Sequence, residues 1–399
     1  MRASDLKSPE TTNRVANKKL LLVAWGMPPG LSGSATVTNG LASQFSGDEL
    51  FCVGEASHRD PKEDADRSQF AYLHRRMGVR GENKIRWLFL PWILLQLCLL
   101  QRRKKFDAII AVYPNDFFLL CGLLLSLLFR KQFYSYFHNT YLEEKRGMNW
   151  LFAKFLQPRV FARSELVFTM SQGMADYYQS TYSDIRFEPL VHTTAHPIPE
   201  TLPADQINDP LSVGFLGNIN RSNSDAFTRF LKAIENQDIE LTIYSRITEE
   251  NLKRFGIDLD QLRIGSAPFG TEIACLQKHD ILFLPHGLCG ESMSEVEYQT
   301  IFPTKTISYL LAGRPIFSHC PRNSFLRKWL SDWQCAEIVD EPNLDLIRAA
   351  LEGLRNSPVR RQQLVANGLK AVNTFEAKNV CDQLRLKLGM QPCSHSNNQ

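Results

Sequence analysis

Short runs of apolar, β-branched and aromatic residues recur along the chain, each followed by a longer stretch with apolar positions at helical spacing. In the first half the runs are Leu20–Trp25, Leu50–Val53, Ala108–Val112, Phe133–Phe137 and Leu166–Met170. In the second they are Leu211–Leu216, Leu241–Tyr244, Ile281–Leu284, Pro315–Ser318 and Glu337–Val339. Runs that are apolar throughout, rather than alternating, predict strands buried on both faces, and their separation by helices predicts parallel sheets. Between the two series, Pro189–Pro210 holds five prolines and few consecutive apolar residues, the composition of a linker. The pattern predicts an α/β protein with two doubly wound Rossmann-like domains. Residues 18–192 form the first, 193–210 the linker and 211–375 the second, with a loose polar tail over 1–17 and a helix and polar tail over 376–399. Asn379–Leu388 is a candidate to cross back onto the first domain. Ligands of such sheets sit at the carboxyl ends of the strands, so chemistry is expected in a cleft between the two units.

Composition changes this picture little; charge changes it more. The chain has 399 residues, 44% hydrophobic and 22% charged, enough for two full cores. Its first residues show neither an apolar core nor a cleavage pattern, so no signal peptide is read there. Nine cysteines without a CxxC pair point to a reduced, cytoplasmic setting rather than a disulfide framework. The net charge of +4 conceals an asymmetry, because Arg67–Arg163 carries 17 Lys/Arg against 5 Asp/Glu. The same stretch contains two very apolar runs, Trp87–Leu100 and Phe117–Phe129, each followed by basic residues: Arg102–Lys105 and Arg130–Lys131. Both runs fall short of the roughly 20 residues a membrane span needs. They suit either core helices with solvated basic ends or a peripheral contact with an anionic membrane. No nucleic-acid partner is expected, because the aromatics lie in the apolar runs instead of alternating with the basic residues.

Four segments carry candidate chemistry. In Phe302–Ile316, Pro303 fits a first helical turn, Gly313 fits the position past the helix end, and Ile307, Leu310 and Leu311 give one buried face. Such a helix start offers the N–H groups of Thr304, Lys305 and Thr306 together with the Lys305 ammonium, a site for a diphosphate. The same features fit a capped core helix. The loop Gly26–Ser34 joins a strand to a helix, and its Gly33 and Ser34 amides suit a phosphate or a donor oxygen. Its glycines, at 26, 30 and 33, do not match GxGxxG, although Glu55 ends the second strand where a dinucleotide fold places an acid. His138 follows Phe133–Phe137 at a strand's carboxyl end, as an active-site or a purely structural histidine. Gly217, Asn218 and Arg221 follow Leu211–Leu216, where Gly217 permits close backbone approach and Arg221 offers a bidentate cation. His192 and His196 lie in a proline-containing coil unsuited to metal ligation. Asp64-Ala65-Asp66 and Asp258-Leu259-Asp260 have D-x-D form in charged stretches, and no G-x-S-x-G appears.

The order of these pieces resembles the retaining, family 4-like group of GT-B glycosyltransferases. Pro303–Pro315 is similar to their donor-binding helix, Leu21–Ala42 to their opening strand, loop and helix, and Phe168–Tyr178 (FTMSQGMADYY) to their S-E-G-M-A-D segment. Val213–Asn220 and Arg263–Pro285, ending HDILFLP, resemble strands of their donor domain. The resemblance implies a GT-B fold and hexosyl transfer from a nucleoside diphosphate sugar to a glycan or lipid-linked acceptor in polysaccharide or glycoconjugate biosynthesis. It also implies no cofactor or essential metal. On this basis the donor diphosphate and ribose fall to Pro303, Thr304, Lys305, Thr306 and Ser308, and the nucleobase to Gly265–Phe269. His138 falls near the transferred sugar. Two positions depart from the pattern: Thr300 and Ser308 stand where many members carry glutamates. A nucleotide-sugar epimerase or a non-catalytic GT-B partner subunit are the alternatives.

Overall fold

The computed structural model describes residues 18–28, 33–56, 69–75, 84–194, 196–245, 247–257, 262–268, 270–288 and 294–392. The first domain runs β1 (Leu20–Val23), α1 (Gly33–Ala42), β2 (Leu50–Ala56), β3 (Phe70–Arg75), α2 (Leu90–Lys104), β4 (Ala108–Tyr113), α3 (Asp116–Leu128), β5 (Gln132–Phe137), α4 (Gly147–Arg163), β6 (Leu166–Thr169), α5 (Gln172–Thr181) and β7 (Phe187–Pro189). The second begins with β8 (Leu211–Leu216), α6 (Ser224–Ile234), β9 (Ile239–Tyr244), α7 (Glu249–Arg254), β10 (Arg263–Gly265), α8 (Glu272–Leu276) and β11 (Ile281–Pro285). It continues with α9 (Glu295–Thr300), α10 (Lys305–Leu311), β12 (Ile316–His319), α11 (Phe325–Trp333), β13 (Glu337–Val339), α12 (Leu344–Asn356) and α13 (Pro358–Val372). The last helix is α14 (Ala377–Lys387).

Every pairing in both sheets is parallel. The strand orders are β3-β2-β1-β4-β5-β6-β7 and β10-β9-β8-β11-β12-β13. Each order reverses direction next to its first strand, at β1/β4 and at β8/β11, and a doubly wound sheet opens its ligand crevice at such a switch point. All ten anticipated strands form. The unanticipated β3, β7 and β10 lie at sheet edges. An edge strand pairs on one side only and needs no long apolar run, and β7 and β10 have three residues each. Pro189 therefore ends a strand, and the linker starts after it.

Two buried polar residues in HDILFLP serve the framework. Asp280 accepts from the Asn208 and Ser212 amides at 3.1 and 2.8 Å, fastening the linker to β8. His279 bridges the Ser212 hydroxyl, at 2.8 Å, and the Tyr244 hydroxyl, at 2.9 Å. A second crossing between domains follows α13: the Thr194 amide donates to Phe375 O and the Ala377 amide to Thr194 O, so linker and return strand are bridged. The chain then continues as α14, which packs on the first domain, with Val380, Cys381, Leu384 and Leu388 joining its core. Arg385, 1% exposed, donates to Gln44 O at 2.7 Å, pairs with Glu49 at 3.2 Å and lies over the Phe45 ring. The candidate crossing of the last helix is thus present.

The domains also meet at the segment FTMSQGMAD. Ser171 caps α5 by accepting from the Met174 amide, and its hydroxyl donates to Thr300 O, at the end of α9, at 2.5 Å. A Cβ on Gly173 would stand 3.0 Å from Gln299 O and 2.9 Å from the Phe325 ring, so glycine allows this approach.

Candidate functional site

The second-domain half of the cleft is built at the β8/β11 switch point. β8 ends into Gly217, whose φ of +118° favours glycine, and a Cβ there would lie 3.6 Å from Lys305 Nζ. Lys305 opens α10 and extends its ammonium beneath this turn, 4.3 Å from the centre of the Phe215 ring. From the end of β11 comes His286, whose amide bonds His319 O and whose ring is buried. Lys305 Nζ, Thr306 Oγ1 and His286 Nε2 are all buried without a partner among the described residues.

This combination is costly for an empty protein. Burial pulls the Lys305 ammonium down to about 7. It pulls His286 to about 4, with the neighbouring Lys305 adding to the shift. A buried ammonium without a partner among the described residues is relieved by an anion that accepts from it, while the neutral His286 ring, bonded to the Tyr298 backbone, offers Nε2 as an acceptor for a ligand hydroxyl. The ring of Phe215 gives partial compensation through its π-face.

The first-domain half faces it. A Cβ on Gly33, the first residue of α1, would stand 3.4 Å from Thr304 Oγ1, so the starts of α1 and α10 approach across the cleft. Gly26 permits this entry, since a Cβ there would meet Ser34 Cβ at 2.7 Å. Ser34 Oγ lies 3.0 Å from His138 Nδ1, tying the α1 start to the carboxyl end of β5. His138 is 7% exposed, and its Nε2 has no partner among the described residues. Burial lowers it to about 3, so the ring is a neutral imidazole at ordinary pH.

Gly33, Ser34 and His138 of the first domain and Gly217, Thr304 and Lys305 of the second are thus brought together, while other expected residues sit differently. Pro303 shapes the turn, and its carbonyl takes the Thr306 N–H at 3.0 Å. That amide is therefore spent within the turn, and the Thr306 hydroxyl is buried without a partner among the described residues. Ser308 lies half-buried one turn along α10. Asn218 and Arg221 share the loop of Gly217 but are solvent-exposed, outside the buried pocket. Thr300 holds its hydroxyl on Val296 O, its own helix, and so cannot replace a glutamate in the cleft. Glu55 is paired with Arg86 at 2.7 Å, which removes it as a ribose acid. A Cβ on Gly265 would meet the Tyr244 ring at 2.4 Å, so this glycine serves packing. His192 is buried and His196 exposed, so they share no site. Gly30, Asp64–Asp66, Asp258–Asp260 and Phe269 lie outside the described residues.

Three further groups were given no role in the cleft by the sequence. His286 carried a signal in its place directly after the strand ILFLP. His192, whose ring nitrogens have no partner among the described residues, lies 6.3 Å from His138 between ring centres. Glu144, in the short 3-10 turn Leu142–Glu144 after β5, is pushed up to about 8 by burial and then by Glu297 on α9 of the other domain. It is a carboxyl that keeps its proton at neutral pH beside the interdomain boundary.

With this geometry in place, the fold class is plain: two Rossmann-like domains facing a cleft, with the last helix returned to the first domain, form the GT-B fold. No family model and no curated protein matches the sequence. Among solved structures, sucrose-phosphate synthase from Thermosynechococcus elongatus is similar with a TM-score of 0.70 at 11% identity, over 93% of this chain and 98% of that one. HepE from Anabaena, solved with UDP and glucose, gives 0.66 at 12% identity over 93% and 99%. The lipopolysaccharide outer core galactosyltransferase WaaB gives 0.64 at 12% identity, with the same coverage of 93% and 99%. A putative UDP-N-acetylglucosamine 2-epimerase from Listeria monocytogenes shares the fold less closely, at 0.56 and 10% identity over 95% and 99%.

Proposed function

We propose that this chain is a glycosyltransferase that moves a hexose-type sugar from a nucleoside diphosphate donor to a glycan or lipid-linked acceptor in polysaccharide or glycoconjugate biosynthesis. The observation that carries the proposal is the buried Lys305 ammonium, unpartnered among the described residues as are Thr306 Oγ1 and His286 Nε2, roofed by Gly217 and faced by the start of α1. Departure of a nucleoside diphosphate places negative charge on the oxygens leaving the sugar. A desolvated ammonium and fixed donors at that point stabilise the charge without reorganising at the moment of reaction. His138, neutral and held by Ser34, stands on the opposite wall, where it can donate to or accept from a sugar hydroxyl through Nε2. The acceptor belongs to the first domain. Lys305 and the two helix starts meet the diphosphate charge themselves, which supports a reaction without an essential metal. The solved structures of like fold lend support, since their printed names include a galactosyltransferase and one was solved with UDP and glucose.

The proposal is tested by thermal shift of the full chain against a panel of nucleotide sugars and free nucleoside diphosphates. A ligand at 100 times its Kd adds about 2.7 kcal/mol to apparent stability. A shift by nucleoside diphosphates and by one or a few of their sugars is expected. No shift with any uridine, guanosine, adenosine or thymidine diphosphate compound contradicts the proposal.

A further inference from the structure

The outer face of the first domain carries apolar side chains that none of the described residues covers. Leu88, in the 3-10 turn Lys84–Phe89, and Trp92, Leu95 and Leu99 of α2 are 79%, 56%, 49% and 55% exposed. Their spacing places them on one helical stripe, while Ile93 and Leu97 face the core. α4 repeats the arrangement: Met148, Leu151 and Phe155 are 80%, 55% and 57% exposed, against buried Ala153, Leu156 and Val160. The two stripes belong to one surface, because Trp87 packs edge-on against Phe117 of α3 and Phe152 of α4, at 5.4 and 5.2 Å. Monomeric soluble proteins rarely leave so much contiguous apolar surface to water.

Charge on this face has a direction. α2, α3 and α4 each end where a strand of the parallel sheet begins, so their last turns line the edge remote from the cleft. That edge carries exposed Arg102, Arg103 and Lys104 in the last turn of α2, Lys105 just after it, Arg130 after α3, and Arg159 in α4, over the Phe155 ring, against exposed Asp107 and Glu165. No carboxylate among the described residues forms an ion pair with any of these six. The first turns of the same helices, with Leu88, Trp92 and Met148, lie toward the cleft. An apolar ridge beside a predominantly basic band matches the interface of an anionic bilayer, where side chains enter the acyl boundary and cations stay among the headgroups. A second copy of this chain fits poorly, because an isologous contact would bring the like-charged bands together. Among the described residues, no helix is long and apolar enough to cross a membrane.

We propose that the α2–α4 face is a membrane-docking surface for anionic lipid, seating the first domain on a bilayer with the cleft mouth at the lipid surface. This stands apart from the sugar-transfer reading, and nucleoside diphosphate binding reports on that reading separately. The test is co-sedimentation of the full chain with vesicles of phosphatidylcholine alone or mixed with phosphatidylglycerol. Wild-type protein is expected to sediment with the anionic vesicles and to be partly released by salt. Replacing Arg102, Arg103, Lys104 and Lys105 by glutamine should weaken binding about fivefold for each charge near the surface. Trp92→Ser with Phe155→Ser should weaken it about tenfold or more. All six positions are exposed, so melting temperature and nucleoside diphosphate affinity should hold in both variants. Equal binding to neutral and anionic vesicles, indifference to either set of substitutions, or self-association without vesicle binding would each overturn the proposal.

Discussion

His138→Ala is expected to lower turnover by about 10²–10³-fold while nucleoside diphosphate affinity stays near that of the wild type. The two effects separate because the groups lie on opposite walls: His138 ends β5 in the first domain, and the diphosphate pocket is made by Gly217, His286 and Lys305 in the second. With Nδ1 held by Ser34 at 3.0 Å, the ring presents Nε2, which has no partner among the described residues. Its pKa of about 3 means that the imidazole does not change charge near neutrality, so turnover should show no inflection from this residue between pH 5 and 8. Ser34→Ala should lower turnover less and, by freeing the ring, mimic part of the loss. A structural histidine gives another pattern: a lowered melting temperature with near-normal turnover in the surviving protein. Melting, nucleotide affinity and the pH profile measured on one preparation decide between them.

Lys305→Ala should weaken nucleoside diphosphate binding by about 1–3 kcal/mol, the range for a charge-assisted hydrogen bond to a ligand. The same change should leave the unliganded protein no less stable, and Lys305→Met should raise its stability, because each removes an ammonium buried without a counter-charge among the described residues. The sign of the pH dependence follows from the lowered pKa. Between about 7 and the ordinary 10.5 the unfolded chain holds the proton more than the native one. The cost of this lysine to the fold is therefore full below pH 7 and is relieved as pH rises toward 10.5. A diphosphate favours the charged form, so binding above pH 7 should take up to about one proton and weaken as pH rises. Calorimetry in buffers of different ionisation enthalpy measures this uptake. Equal affinity and equal proton balance in Lys305→Ala and wild type would remove Lys305 from the site.

Much of this was legible in the chain because the physics involved is local. Apolar runs such as Ala108–Val112 and Ile281–Leu284 can only be strands buried on both faces, and both are. Pro303, Lys305 and Gly313 mark the start and end of one helix, and α10 lies between them. The edge strands left little trace, since Phe187–Pro189 and Arg263–Gly265 pair on one side and carry few apolar residues. Long-range facts left less. Nothing local shows that Thr306 spends its amide on Pro303, that Glu297 stands near Glu144 across the domain boundary, or that Glu55 is held by Arg86. Each depends on which segments the sheet order brings together. The Thr300 position is instructive, since sequence showed the missing carboxylate and structure shows its hydroxyl committed to Val296 O. The basic, apolar stretch left core and membrane readings open, and exposure divides them by face: Ile93 and Leu97 are core, Trp92 and Leu99 are surface.

The most direct measurement of the central claim follows the sugar itself. The full chain is incubated with a nucleotide sugar that raises its melting temperature, labelled in the sugar, together with glycan and lipid-linked acceptor fractions. Free nucleoside diphosphate and labelled acceptor are then quantified together. The account predicts that both appear in equal amounts, depend on acceptor, and fall together in His138→Ala. Acceptor-independent conversion of the donor to another nucleotide sugar would contradict it in favour of an epimerase. Saturable donor binding with no bond cleavage by any fraction would contradict it in favour of a non-catalytic partner subunit.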